Sequence, residues 1–302
     1  MRARRAIVAL AAAALVATGC SGPAAGDDRP SVVVTTNILG DVVDGLVGEQ
    51  AAVTVLMPPD ADPHSFEISA QQAATMESAD LVVENGLGLE EGLAQHVEAA
   101  AAAGVPILTA GDHVEVLQYS SEDAAGPDPH FWTDPTQMVS VVEALRARLS
   151  QVEGIDGAAL DAASDASVDE LEALDADLET RFGAIPEERR ALVTNHHVFG
   201  YLAERYGFRL VGAVIPGGST LAAPSASDLA DLAGAIREGG VPVLFADSSQ
   251  PDRLVQVLAE EAGVDVRVET LFTESLTAPG GGAETYLQLM AANGDRIVAA
   301  LG

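Results

Sequence analysis

The chain has 302 residues, with 46 acidic side chains against 15 basic ones, every basic one an arginine, and a single cysteine. A formal net charge of −31 repels nucleic acid and anionic lipid head groups and favours cations. One cysteine excludes a disulfide within the chain, so an oxidising compartment adds nothing to its stability.

The chain opens "MRARRAIVALAAAALVATGC": a basic head, a short apolar run, then small residues ending at Cys20. That run is too short for a spanning helix and reads as an export signal over residues 1–19. The residues "ATGC" resemble a lipobox, with Ala17 where leucine is more usual, and Cys20 is the expected lipidation site. Loss of Arg2, Arg4 and Arg5 with the signal makes the mature chain still more acidic. Residues 20–30 then form a small, polar, flexible tether.

From Ser31, short β-branched runs alternate with helical patterns, which predicts α/β architecture and largely parallel sheets. In the first lobe, strands are expected at 31–37, 53–57, 81–84 and 106–110. Helices are expected after the first strand, over about 69–78 with Ser69 and Gln72 as a capping box, and around 89–103. An irregular acidic loop follows. Asp134 then caps a helix over 135–150, with Pro135 at its first position, where a missing N–H costs nothing.

Over 158–182, Leu160, Ala163, Val168, Leu171, Leu174, Leu178 and Phe182 recur at mostly helical spacing with no Gly or Pro between them, which predicts one long amphipathic helix. A second βα series occupies the rest, with strands at 191–195, 208–215, 242–246 and 266–272. Helices are expected at 198–206, 226–238, 251–261 and 284–301. The expected organisation is a lobe over 31–157, a linking helix over 158–183 and a second lobe over 184–302. A single long helix between the lobes predicts limited motion of one against the other.

Three of the six histidines fall where open α/β sheets place ligands, beyond the carboxyl ends of strands. His64 and His130 each follow Asp-Pro, in "DPHSFE" and "DPHFWTDP". Proline restricts its own φ and that of the residue before it, so each loop presents its histidine with little freedom left to lose. The preceding aspartate is placed to accept the imidazole N–H that faces away from a metal. His196 follows the strand 191–195. Trp132 and Phe131 are expected to wall the cleft, and His96 and His113 to lie at the surface or in a loop. His197 is either a support for His196 or turned away.

With "NHHVFGYLAERYG", "FTESLTAPGGGAETYLQLM" and the long helix, these motifs make the chain resemble the zinc and manganese solute-binding proteins of bacterial ABC transporters, the ZnuA/TroA-like group. The resemblance covers nearly the whole mature chain. It implies two Rossmann-like βα lobes joined by one backbone helix, with one divalent metal in the cleft between them. Carried over position by position, the ligands are His64, His130, His196 and Glu274. Glu274 departs from the aspartate usual in that family, and Asp247 is the alternative carboxylate.

A histidine at the third position is zinc-like in that family, and imidazole ligands suit Zn²⁺ whereas carboxylate-rich sites suit Mn²⁺. Zinc is therefore the expected cargo, with manganese or iron as the alternative. The resemblance also implies a membrane permease as partner and no enzymatic activity. The loop before His130 carries Glu122, Asp123 and Asp128 where zinc members often carry histidines, which leaves room for a metallochaperone to supply the metal. The chain is expected to be a monomer, exported, and either lipid-anchored to the outer face of the cell membrane or periplasmic. An exported zinc hydrolase and a surface adhesin are the rival readings. Neither "HExxH" nor "GxSxG" occurs to favour the hydrolase.

Overall fold

The structure, a computed structural model of the chain, describes residues 28–119, 124–262 and 266–302. The export signal, Cys20, most of the tether, Glu122 and Asp123 lie outside the described residues. No helix among the described residues is long and apolar enough to cross a membrane.

The first sheet consists of β1 (Ser31–Val34), β2 (Ala52–Val55), β3 (Leu81–Glu84) and β4 (Ile107–Thr109). All pairings are parallel, in the order β2-β1-β3-β4. The second sheet repeats this plan with β5 (Ala191–Thr194), β6 (Arg209–Ala213), β7 (Val243–Asp247) and β8 (Arg267–Leu271). Its order is β6-β5-β7-β8, again parallel. In each sheet the chain leaves the first strand to one side and later crosses to the other, so a switch point opens beside β1 and beside β5.

The helices are α1 (Asn37–Val47), α2 (Ala70–Glu77), α3 (Ala94–Ala102), α4 (Pro135–Leu149), α5 (Gly157–Gly183), α6 (Gly200–Tyr206), α7 (Ala226–Gly239), α8 (Arg253–Ala262) and α9 (Tyr286–Leu301). The capping box at Ser69 and Gln72 is present, and Asp134 caps α4 above Pro135. The 27 residues of α5 span roughly 40 Å. Leu160, Leu171, Leu178 and Phe182 are buried along one stripe, while Ala163, Val168 and Leu174 are only half-buried.

Side chains of successive strand residues point to opposite faces, and this alternation sorts the cores. Val32 and Val34 of β1, with Leu192 of β5 and Val243 and Phe245 of β7, join α1, α4, α5, α6 and α9 in one core shared by both lobes. Val33 and Val82 face a second cluster with Met76, Leu93 and Val97. Val193, Leu244 and Ala246 face a third with Leu232, Ile236 and Leu258. Because the largest core is common to both lobes, opening them as rigid halves would expose apolar surface that each lobe buries against the other.

Several expected elements are shorter than their sequence patterns: the first strand ends at Val34 rather than at 37, because Thr36 already caps α1. The helix expected around 89–103 begins only at Ala94. Gly86, Leu87 and Gly88 all have positive φ, which breaks the chain away from β3. The buried Glu90 carboxylate then accepts from the Thr35 hydroxyl at 2.6 Å and from the Asn85 and Gly86 N–H groups at 2.8 and 3.2 Å. Those bonds hold residues 85–90 as a brace rather than a helical turn. Burial pushes the Glu90 carboxyl up to about 7 against these hydrogen bonds.

Candidate metal site

The loop after β2 carries His64, and the segment leading into α4 carries His130. The turns after β5 and β8 carry His196 and Glu274. The structure brings one donor atom from each of these four residues within 4.8 Å of the others. Nε2 of His64 lies 3.3 Å from Nε2 of His130. Glu274 Oε1 lies 2.7 Å from Nε2 of His196 and 3.3 Å from Nε2 of His130, while Oε2 lies 3.8 Å from Nε2 of His64. The four residues are 2%, 0%, 0% and 1% exposed respectively. Glu274 Oε2, a buried carboxylate oxygen facing an imidazole, has no hydrogen-bond partner, and burying such a group without compensation is costly.

The electrostatics follow from this crowding. Burial alone would drive the Glu274 carboxyl pKa up, but His130 and His196 outweigh it and hold it well below the usual range. For His130, burial pushes the pKa down, and the Glu274 and Asp128 carboxylates raise it beyond that. At His64 burial wins over Glu274, and the pKa falls to about 4. The set thus offers an ionised carboxylate, a neutral His64 and a His130 that must give up a proton before it can ligate.

The two Asp-Pro-His segments use their aspartates differently. Asp128 Oδ1 sits 2.7 Å from His130 Nδ1, so His130 donates there and turns Nε2 to the cleft. Asp62 does not do this for His64: its Oδ1 accepts the His64 backbone N–H at 2.9 Å, and the His64 ring Nδ1 has no hydrogen-bond partner. The expectation of an imidazole-orienting aspartate therefore fails at Asp62. Both aspartates accept the backbone N–H of their own histidine; what differs is that the other oxygen of Asp62 is taken up by Ser65 and by Thr220 and Gln250 of the other lobe.

Asp247 stands behind His196, its Oδ2 3.9 Å from Nδ1, on the side away from the other three donor atoms. Its Oδ1 accepts from the Ser249 N–H at 2.7 Å and hydroxyl at 2.8 Å. The geometry therefore groups Glu274, not Asp247, with the imidazoles. His197 packs its ring against Tyr119, with centroids 6.3 Å apart, and does not join the four. His113 is exposed and His96 half-buried.

Trp132 packs edge-on to His130 at 5.2 Å and is buried, as is Phe131. The wall also carries hydrogen bonds that no sequence pattern announces. Trp132 Nε1 donates to the Thr273 carbonyl at 2.9 Å, beside Glu274, and the Tyr286 hydroxyl donates to the Trp132 carbonyl at 2.7 Å. One loop thus fixes His130 and supports the Glu274 turn from the other lobe.

Gly200, the first residue of α6, is equally silent in the sequence. A Cβ there would lie 2.2 Å from Asp128 Oδ2, so only glycine lets the carboxylate sit against that turn. Gly200→Ala is expected to displace Asp128 and weaken metal binding by roughly 10–100-fold, the cost of losing a ligand's supporting hydrogen bond. Competition against a chromogenic chelator measures this, and unchanged affinity would show that Asp128 does not hold His130.

Residues 32–300 match the family model for zinc-uptake complex component A, periplasmic (ZnuA). The chain belongs to the ZnuA family. Members of this family are metal-binding components of ABC transporters, which are solute-binding proteins and not enzymes. Among its ZnuA-family relatives, a manganese-binding lipoprotein, MntA, of Halalkalibacterium halodurans is 29% identical over 293 residues, covering 95% of each chain. The zinc-binding protein TroA of Treponema pallidum is 30% identical over 285 residues, 93% of this chain and 92% of that protein. The iron-binding protein YfeA of Yersinia pestis is 28% identical over 272 residues, 90% and 86% of the two chains. The solved periplasmic zinc-binding protein TroA superposes with a TM-score of 0.84, covering 91% of this chain and 99% of that one. The two four-stranded parallel lobes and the long connecting helix are thus the architecture of this family.

Proposed function

We propose that the chain binds one Zn²⁺ between its lobes, through His64, His130, His196 and Glu274, and delivers it to an ABC-transporter permease. The observation that carries this reading is a buried cluster of three imidazoles and one carboxylate with donor atoms within 4.8 Å of one another. Zinc bonds of about 2.0–2.1 Å in a tetrahedral shell set the donors about 3.3–3.4 Å apart. Two pairs, His64 with His130 and His130 with Glu274, are already 3.3 Å apart. Four protein ligands close the shell, which argues against a hydrolase, since that chemistry needs an open position for water.

Manganese is the second reading, favoured by Glu274 Oε2, which has no hydrogen-bond partner and so can serve as a further ligand for an ion of higher coordination. In this proposal residues 1–19 direct export and Cys20 carries the lipid. Residues 20–30 tether the lobes, 31–157 and 184–302, which the helix 158–183 joins. Apo protein titrated with Zn²⁺ and Mn²⁺ in competition is expected to take zinc; preferential uptake of manganese would overturn the zinc assignment.

A further inference from the structure

Asp62 is one of the points at which the His64 loop meets the opposite lobe, beside Asp60, whose N–H donates to the Leu276 carbonyl at 3.0 Å. Asp62 Oδ1 accepts the His64 N–H at 2.9 Å, and its Oδ2 accepts from three donors. Ser65 Oγ lies at 2.8 Å, within the same loop. Thr220 Oγ1 at 2.6 Å and Gln250 Nε2 at 2.8 Å come from the other lobe, 158 and 188 residues away. Asp62 is 7% exposed, so these bonds are shielded from competing water.

Thr220 belongs to the segment 216–225 between β6 and α7, which has no helix or strand of its own. The Tyr119 hydroxyl donates to the Gly218 carbonyl at 2.9 Å and ties the same segment to the first lobe a second time. Leu221, the residue after Thr220, is 57% exposed. The deeper bonds between the halves are of another kind. Asn37 meets Ser275 and Leu276, and Trp132 meets Thr273, beside the common core. A short irregular segment held by a few side-chain bonds opens at lower cost than packed helices and strands.

We infer that Asp62 is a positioning residue which keeps His64 in the site only while the other lobe is docked on it through Thr220 of segment 216–225 and Gln250 of the turn after β7, so that undocking of these two segments sets the rate of metal release. This rests on the metal-binding reading above. Oδ2 receives both cross-lobe donors, while Oδ1 of the same carboxylate holds the His64 backbone. Without the cross-lobe donors Oδ2 keeps only Ser65 of its own loop, and the carboxylate and the His64 backbone it holds are no longer fixed through Thr220 and Gln250. The other three ligands stay where their own loops and the common core hold them.

The test uses the full mature chain loaded with Zn²⁺ and mixed with excess chromogenic chelator, release being followed by stopped flow. Thr220→Val keeps shape but removes the donor, and is expected to release zinc roughly tenfold faster, in keeping with one hydrogen bond to a charged group. Thr220→Val combined with Gln250→Leu is expected to release faster still. The association rate should stay at the wild-type value, and the melting temperature of metal-free protein should fall only by the few degrees that one lost hydrogen bond accounts for. Thr220→Ser, which restores a hydroxyl, is expected to restore slow release. Wild-type release from Thr220→Val would overturn the inference, as would Thr220→Ser releasing as fast as Thr220→Val. Equally fast release from a variant with the same fall in metal-free melting temperature but with Asp62, Thr220 and Gln250 intact would do the same, by showing a structural role only. If the wild-type chain takes up neither Zn²⁺ nor Mn²⁺, the metal-binding reading itself fails and this inference with it.

Discussion

Alanine at His64, His130 or His196 is expected to lower zinc affinity by roughly 1,000-fold or more. The loss of a direct ligand exceeds the 10–100-fold that a supporting residue is worth. It also leaves the Glu274 carboxylate, 1% exposed, with one imidazole fewer, and breaking a buried pair costs about 3–5 kcal/mol. The three positions are not equivalent, because His130 is braced by Asp128 and Trp132. The His64 ring has no brace at Nδ1. Glu274→Ala is expected to cost less than any of the histidines, since a water oxygen can occupy the vacated ligand position. Competition titration of the four variants checks the order, and unchanged affinity in His196→Ala would remove the second lobe from the site.

Metal removal is the second large effect. Ligand that binds only the folded state stabilises it by RT ln(1 + [L]/Kd), about 4 kcal/mol at a free concentration 1,000 times Kd. For a chain of this size that corresponds to a fall of roughly 10 °C in melting temperature when a chelator strips the metal. The same treatment of His196→Ala is expected to change little, which separates metal linkage from a direct effect of the chelator. The core common to both lobes, with α5 packed along it, predicts that this loss occurs without wide opening. Small-angle scattering of loaded and stripped protein should give the same radius of gyration within error. A clear expansion on stripping would show that the common core does not hold the lobes together.

Much of the fold and of the candidate site is legible in the amino-acid pattern, for local reasons. The β-branched runs and the uninterrupted apolar repeat over 158–182 specify parallel strands and a long helix because side-chain period reports the buried face. Asp134-Pro135 announces a helix start through capping alone. The positions of His64, His130 and His196 at strand or helix ends follow from the same pattern. Three left-handed residues at 86–88 are less legible, because Leu87 gives no composition signal for that conformation, and the helix expected from 89 starts late.

Local sequence is enough to specify the alternation of elements, the helix between the lobes and the residue types offered to a metal. Each rests on interactions a few residues long. Which partners those residues meet is settled by tertiary packing. It places Glu274 rather than Asp247 among the imidazoles, and gives Asp128 to His130 while turning Asp62 toward Thr220 and Gln250. It also makes Gly200 necessary, by setting a carboxylate where any side chain would stand. These pairings join residues far apart in the chain, Asp62 and Gln250 by 188 positions, and they depend on how two sheets and one helix share a core, which no local pattern records.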